Sequence, residues 1–232
     1  MNPLRRRIQT AMISGGTPPW SPANLPGLLL WLDAGRITGL NDGDSVSQWN
    51  DVSGNANHWA QATISKQPTY ETNELNGGPI VRFDGVDDVL EHAGLDFGSS
   101  YTLFAVFAYQ GTSNGPLFFG SGGGYDFWNL SDFHAYFANS SRDEGYASNI
   151  GSVGTYISVN YKRQSLRKNG AALSLSGANY AGDNNRIKLC ARSGGVAHPT
   201  VDIAEIIVST HSLNTNLREK TEAYLNAKYA IY

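Results

Sequence analysis

The sequence predicts an all-β fold, an antiparallel sandwich or barrel that carries an extended N-terminal arm and a single C-terminal helix. Three observations predict it. Gly, Asn and Ser number 26, 20 and 22 among 232 residues, and these turn-favouring residues punctuate short strands. Between their clusters lie about ten to fourteen short apolar or alternating runs without helical periodicity, the pattern of a sandwich or barrel. Hydrophobic residues make up 41% of the chain and aromatics 11%, enough for a packed core and too much for disorder. One β domain accommodates this length.

Residues 1–26 contain Gly15-Gly16, Pro18-Pro19, Pro22 and Pro26 with no apolar periodicity, so they read as an arm held by its own body or by a partner subunit. The domain proper is 27–232. Its first strand is Gly27 to Asp33, and Ile80 to Phe83 is another that ends at the Asp84-Gly85 turn. Residues 101–109 are apolar on both alternating faces, as in a central strand covered on both sides. Further strands follow at 116–119, 125–130, 133–138, 155–161, 165–168, 185–191 and 201–209. Asn169-Gly170 predicts a type I′ hairpin. The only helical pattern is 214–230, with Asn214 as N-cap and a stripe of Leu217, Tyr224, Leu225 and Ile231.

Several function classes fall away. No apolar run approaches the roughly 20 residues of a membrane span, and no membrane partner is expected. Arg5-Arg6-Arg7 is followed by no apolar h-region, so no export leader is read. The single Cys190 lies in an apolar run and reads as a buried, inert thiol. Net charge is −3, but the three arginines of residues 1–25 meet no acid, so an arm of +3 precedes a body of −6. A body of that sign is no partner for nucleic acid.

Leu30-Trp31-Leu32-Asp33-Ala34, Val46 to Asp51 with Ser53-Gly54-Asn55, Lys66-Gln67-Pro68, Val81 to Asp88 and Ile203 to Val208 occur in that order. With a terminal helix holding Arg218-Glu219-Lys220 and Tyr224-Leu225, they resemble the concanavalin A-like, laminin-G-like jelly-roll domains of phage and bacterial proteins. The resemblance implies two antiparallel sheets packed face to face, with the strands near 101–109, 155–161 and 201–209 inside. It departs at the helix start, where Leu217 replaces the Glu of a capping box. Functional residues do not carry over, because the loops of such domains vary.

The residues themselves offer limited chemistry. The Glu-x-Asp-x-x-Glu string of jelly-roll hydrolases is absent, Asp143-Glu144 and Glu71 with Glu74 read as loop carboxylates, and no enzyme is expected. Ca2+ is the one ion with candidate ligands, Asp51 and Asn55 in one loop and Asp84 and Asp87 in another, although Asx turns use the same residues. No other cofactor is expected. Glu205 alternates with Ile203 and Ile207, so it faces a buried layer, and Arg82 is a candidate partner in a fold-holding ion pair. Trp128, His134 and Tyr136 line one face of their strands, either an open glycan-binding face or packing.

The leading expectation is a non-enzymatic virion protein of a tailed phage. In it, a jelly-roll head decorates the capsid surface as a cement protein. Its arm, with Arg5, Arg6, Arg7 and Trp20, binds the major capsid protein or other virion subunits, and homo-oligomers are possible. The alternative is a carbohydrate-binding module of a tail or fibre that recognises host-surface polysaccharide through Trp128, His134 and Tyr136.

Overall fold

A computed structural model describes residues 19–98, 100–111, 115–120, 125–129, 135–139, 142–147, 157–162, 165–174, 185–191 and 198–232. In chain order the strands are β1 (Leu28–Asp33), β2 (Asp44–Ser45), β3 (Gln48–Trp49), β4 (Trp59–Ala60), β5 (Thr69–Leu75) and β6 (Gly78–Asp84). They continue with β7 (Leu90–Asp96), β8 (Thr102–Tyr109), β9 (Gly115–Gly120), β10 (Tyr125–Asn129), β11 (Ala135–Asn139) and β12 (Arg142–Ala147). The last are β13 (Ile157–Lys162), β14 (Ser165–Lys168), β15 (Ala171–Leu173), β16 (Asn185–Leu189) and β17 (Thr200–Ser209), before the helix α1 (Thr215–Tyr229). The total exceeds the expected ten to fourteen because β2, β3 and β4 are two residues long, too short to show a period.

The strands form two antiparallel sheets. Sheet A runs β15-β14-β13-β8-β17-β6-β5-β2, and sheet B runs β12-β11-β10-β9-β16-β7-β4-β3. Leu30, Leu32, Val81, Phe83, Leu103, Phe107 and Ile206 of sheet A meet Trp49, Trp59, Leu90, Phe118 and Leu189 of sheet B in the main core. The opposite face of sheet A carries a second buried layer of Trp31, Ile80, Phe104, Val106 and Ile207, covered by Leu225 and Tyr229 of α1. Hence β8 is buried at every position: Leu103, Ala105 and Phe107 face sheet B, and Phe104 and Val106 face the helix. At about 25 cal/mol per Å2, each such side chain contributes about 2 kcal/mol by leaving water.

The ten-residue β17 organises sheet A. One side of it pairs with β8 along its length. The other side is shared, with β6 against Thr200–Ile203 and β1 against Glu205–Ser209. A register shift between Ile203 and Glu205 reverses the facing of the strand beyond it. Val201 and Ile203 lie in the sandwich core, but after the bulge it is Ile206 and Val208 that do, while Glu205 and Ile207 turn to the helix side. The expected grouping of Glu205 with both Ile203 and Ile207 is corrected by that bulge.

The chain ends are tied to this outer face. Ser21 starts a 3-10 turn at Pro22–Asn24, Leu25 is buried under the helix, and the Trp20 ring meets Tyr224 edge-on at 6.1 Å. Asn214 caps α1 by accepting the Leu217 N–H at 3.0 Å. The buried stripe is Thr221, Glu222, Leu225 and Tyr229, and the other expected members, Leu217, Tyr224 and Ile231, pack partly buried beside it. Its polar members have partners: Arg167 of β14 binds Glu222 at 2.8 Å, and Thr221 donates to the Leu217 carbonyl. Asn76, at the β5–β6 turn, donates to the Tyr229 carbonyl at the other end of the helix. The β14–β15 turn holds Asn169 at φ 49° and Gly170 at φ 75°, the two left-handed residues a type I′ turn requires.

Candidate functional site

Two polar clusters occupy the outer face of sheet A. The first is buried beneath α1 and centres on Glu205, which is fully buried. Its Oε1 accepts the Trp31 Nε1–H at 2.7 Å and the Tyr224 hydroxyl at 3.1 Å. Its Oε2 accepts from Lys228 Nζ at 2.6 Å and from the Tyr229 hydroxyl at 2.7 Å. Lys228 also pairs with Asp33 at 2.7 Å, so one ammonium bridges two buried carboxylates. Arg36 approaches Asp33 at 3.4 Å and lies 4.4 Å above the Trp31 ring. Burial pushes the Glu205 carboxyl up, the Lys228 charge opposes that, and Asp33 adds to it. Burial and then the Glu205 charge raise both tyrosines. The cluster ties α1 to the sheet, and the partner of Glu205 is Lys228 and not Arg82.

The second cluster lies where the helix does not reach. Asp202 of β17 is directly opposite Arg82 of β6 in register. The guanidinium makes a bidentate pair, Nε to Oδ1 and Nη2 to Oδ2, both at 2.8 Å. Gln110, just past β8, donates its Nε2–H to Asp202 Oδ2 at 2.6 Å, and Glu74 stands 3.4 Å from Arg82 Nη2. Asp202 is fully buried, whereas Arg82 and Glu74 are about one-third exposed. The hydrogen bond to Asp202 raises the Arg82 guanidinium still further above its ordinary range. Sequence reasoning missed Asp202, although Val81-Arg82-Phe83 against Val201-Asp202-Ile203 would have shown opposite charges at matching places in two alternating runs.

The expected Ca2+ ligands separate into two loops. Asp51 is an organiser of its own loop: its carboxylate accepts the N–H groups of Trp31, Ser53 and Asn57 and the Ser53 hydroxyl. Asn55 turns its amide nitrogen to the Leu28 and Leu29 carbonyls and acts there as a donor. Both side chains thus serve hydrogen bonding within the loop. Asp84, Asp87 and Asp88 bring carboxylate oxygens within 4.8 Å of one another. Asp84 accepts the Val86 N–H at 2.8 Å and Asp88 accepts the Asp84 N–H at 2.9 Å. Burial, followed by the charges of Asp84 and Asp87, pushes the Asp88 carboxyl up to about 6. Cys190 is buried and its thiol is raised by that burial.

Among the expected glycan ligands, Trp128 of β10 lies directly opposite Tyr136 of β11, while His134 lies outside the described residues. Trp128 is opposite Pro116 and Asp126 is opposite Phe118. Phe118 belongs to the core between the sheets. Arg5, Arg6 and Arg7 lie outside the described residues. Trp20 packs on α1, with its ring against Tyr224.

The sequence matches no family model and no curated protein. Solved structures do share the fold. A Trypanosoma rangeli sialidase in complex with sialic acid is similar over 92% of this chain, with a TM-score of 0.59 and 15% identity. The chain spans about a third of that sialidase's length, 34%. Domain 4 of AbnA, a GH43 extracellular arabinanase from Geobacillus stearothermophilus solved with arabinotriose, is similar over 81% of this chain and 94% of that one. Its TM-score is 0.56 and its identity 13%. The binding domain of Paraclostridial Mosquitocidal Protein 1 is similar over 90% of this chain and 53% of its own, with a TM-score of 0.54 and 9% identity.

Identities this low show a shared β-sandwich and transfer no residue roles. They also correct one expectation. The expectation of no enzyme rests on missing hydrolase patterns and on carboxylates read as loop residues, yet structures with this fold include sialidases, one of them captured as a covalent intermediate. A string from one hydrolase family is no test for enzymes in general.

Proposed function

We propose that this chain is a carbohydrate-binding module. The observation that carries the reading is the shared fold with AbnA Domain 4, which was solved with arabinotriose and is matched over 94% of its length. The likeness to a sialidase solved with sialic acid points to the same class of ligand. Composition supports it: only 16% of residues are charged, and a surface rich in amides and hydroxyls suits a ligand that presents hydroxyl groups. The likenesses favour this reading over capsid decoration.

The test is a glycan array probed with the full chain, followed by calorimetry on the strongest signals. Saturable binding of one oligosaccharide class is the expected outcome, with Kd in the range of about 1 µM to 1 mM, or about −8 to −4 kcal/mol. Background signal across neutral and acidic glycans alike contradicts the proposal.

A further inference from the structure

Helix α1 divides the outer face of sheet A. The half it covers is a buried layer of Leu75, Ile80, Phe104, Val106 and Ile207 around the closed Glu205–Lys228–Asp33 cluster. The half it leaves carries Arg82, Glu74, Glu71, Gln110 and Asp202, drawn from β5, β6, the end of β8 and β17. We infer that this uncovered half, centred on Arg82, Gln110 and Glu74, is the sugar-binding surface, and that its ligand is a neutral oligosaccharide recognised through its hydroxyl groups. The inference rests on the carbohydrate-binding reading and gives it a location.

Three features carry it. The first is preorganisation: a fully buried carboxylate, Asp202, holds the Arg82 fork at 2.8 Å on both arms and Gln110 at 2.6 Å. Both donors are thereby fixed in the folded protein, so less side-chain freedom is lost when a ligand arrives. The second is the alternation of donors and acceptors. Glu74 lies 3.4 Å from the guanidinium, and Glu71 accepts the Thr69 hydroxyl at 2.8 Å. A vicinal diol, which both donates and accepts, matches such a mixed surface. The third is charge. One guanidinium faces three carboxylates, those of Asp202, Glu74 and Glu71, the same three that act on Arg82 electrostatically. The surface is net negative, which disfavours sugar acids and selects neutral sugars.

The polar half of sheet A lacks the aromatic signature by which glycan sites are usually sought in a sequence.

The experiment uses the full chain and the neutral oligosaccharide that gives the strongest array signal, titrated calorimetrically. Glu74→Ala and Gln110→Ala remove groups at the surface and leave the Arg82–Asp202 pair in place, so they test the site without depending on a variant that fails to fold. Each is expected to weaken binding at least tenfold with an unchanged circular dichroism spectrum, while Trp128→Phe, a conservative aromatic exchange, stays within twofold of the parent. Affinity unchanged in both Glu74→Ala and Gln110→Ala overturns the location, even where the parent chain binds the glycan. Selective binding of acidic sugars overturns the ligand class. A parent chain that binds no glycan overturns the carbohydrate-binding reading itself, and this inference with it.

Discussion

Replacing Lys228 with Met probes how α1 is held on sheet A. The ammonium lies 2.6 Å from Glu205 Oε2 and 2.7 Å from Asp33 Oδ2, and both carboxylates are almost wholly buried. Met fills much the same space and removes the charge. Two buried anions then face each other with only Arg36, at 3.4 Å from Asp33, to compensate. Removing one partner of a buried ion pair costs about 3–5 kcal/mol. At about 2–4 °C per kcal/mol for a domain of this size, the melting temperature falls by roughly 10 °C. Glu205→Gln removes one of the two anions, keeps an acceptor for Trp31 or Tyr224, and leaves Lys228 on Asp33, so about 1–2 kcal/mol is lost. The double variant is more stable than Lys228→Met alone, because the uncompensated Glu205 charge is gone. Melting followed by circular dichroism on the four proteins measures all three effects. A melting temperature for Lys228→Met within about 1 °C of the parent, or strict additivity of the two changes, refutes the bridge.

Other positions give sharp expectations. Gly27 has φ +58°, and a Cβ there would stand 2.1 Å from His211 Nδ1 and 2.4 Å from Thr210 Oγ1; Gly27→Ala therefore destabilises by about 3 kcal/mol in urea melts. Ala230 ends α1 in the left-handed region at φ 50° and is exposed, so Ala230→Gly raises stability by about 1 kcal/mol in the same assay. The folded chain holds the Asp88 proton more tightly than an unfolded one, with the carboxyl pushed up to about 6 from 3.8. Its stabilising contribution is complete below about pH 4 and is lost as pH rises through about 6. Asp88→Asn, which retains an acceptor for the Asp84 N–H, therefore melts higher than the parent at pH 7.5 and level with it at pH 3.5.

Much of this architecture was legible in the residues. The apolar alternation of 101–109 placed β8 at the centre of sheet A, Asn169-Gly170 placed a tight turn, and Asn214 placed the start of α1. Those signals are local, and each acts through one residue's own conformational preference. What escaped was non-local. The bulge at Ile203/Glu205 leaves no mark in the sequence, yet it decides that Glu205 meets α1 and not the sandwich core. The Arg82–Asp202 pair spans 120 residues and depends on the register between β6 and β17. The polar part of the helix stripe escaped for a related reason, since Thr221 and Glu222 are buried with Arg167 and a backbone carbonyl to satisfy them.

The central claim, that this β-sandwich binds a carbohydrate, meets its most direct test in isothermal titration of the full chain with the best neutral oligosaccharide from an array. The account predicts a saturable isotherm with one site per chain, weakened at least tenfold by Glu74→Ala. An absence of binding to every glycan offered, with the chain folded by circular dichroism, contradicts it.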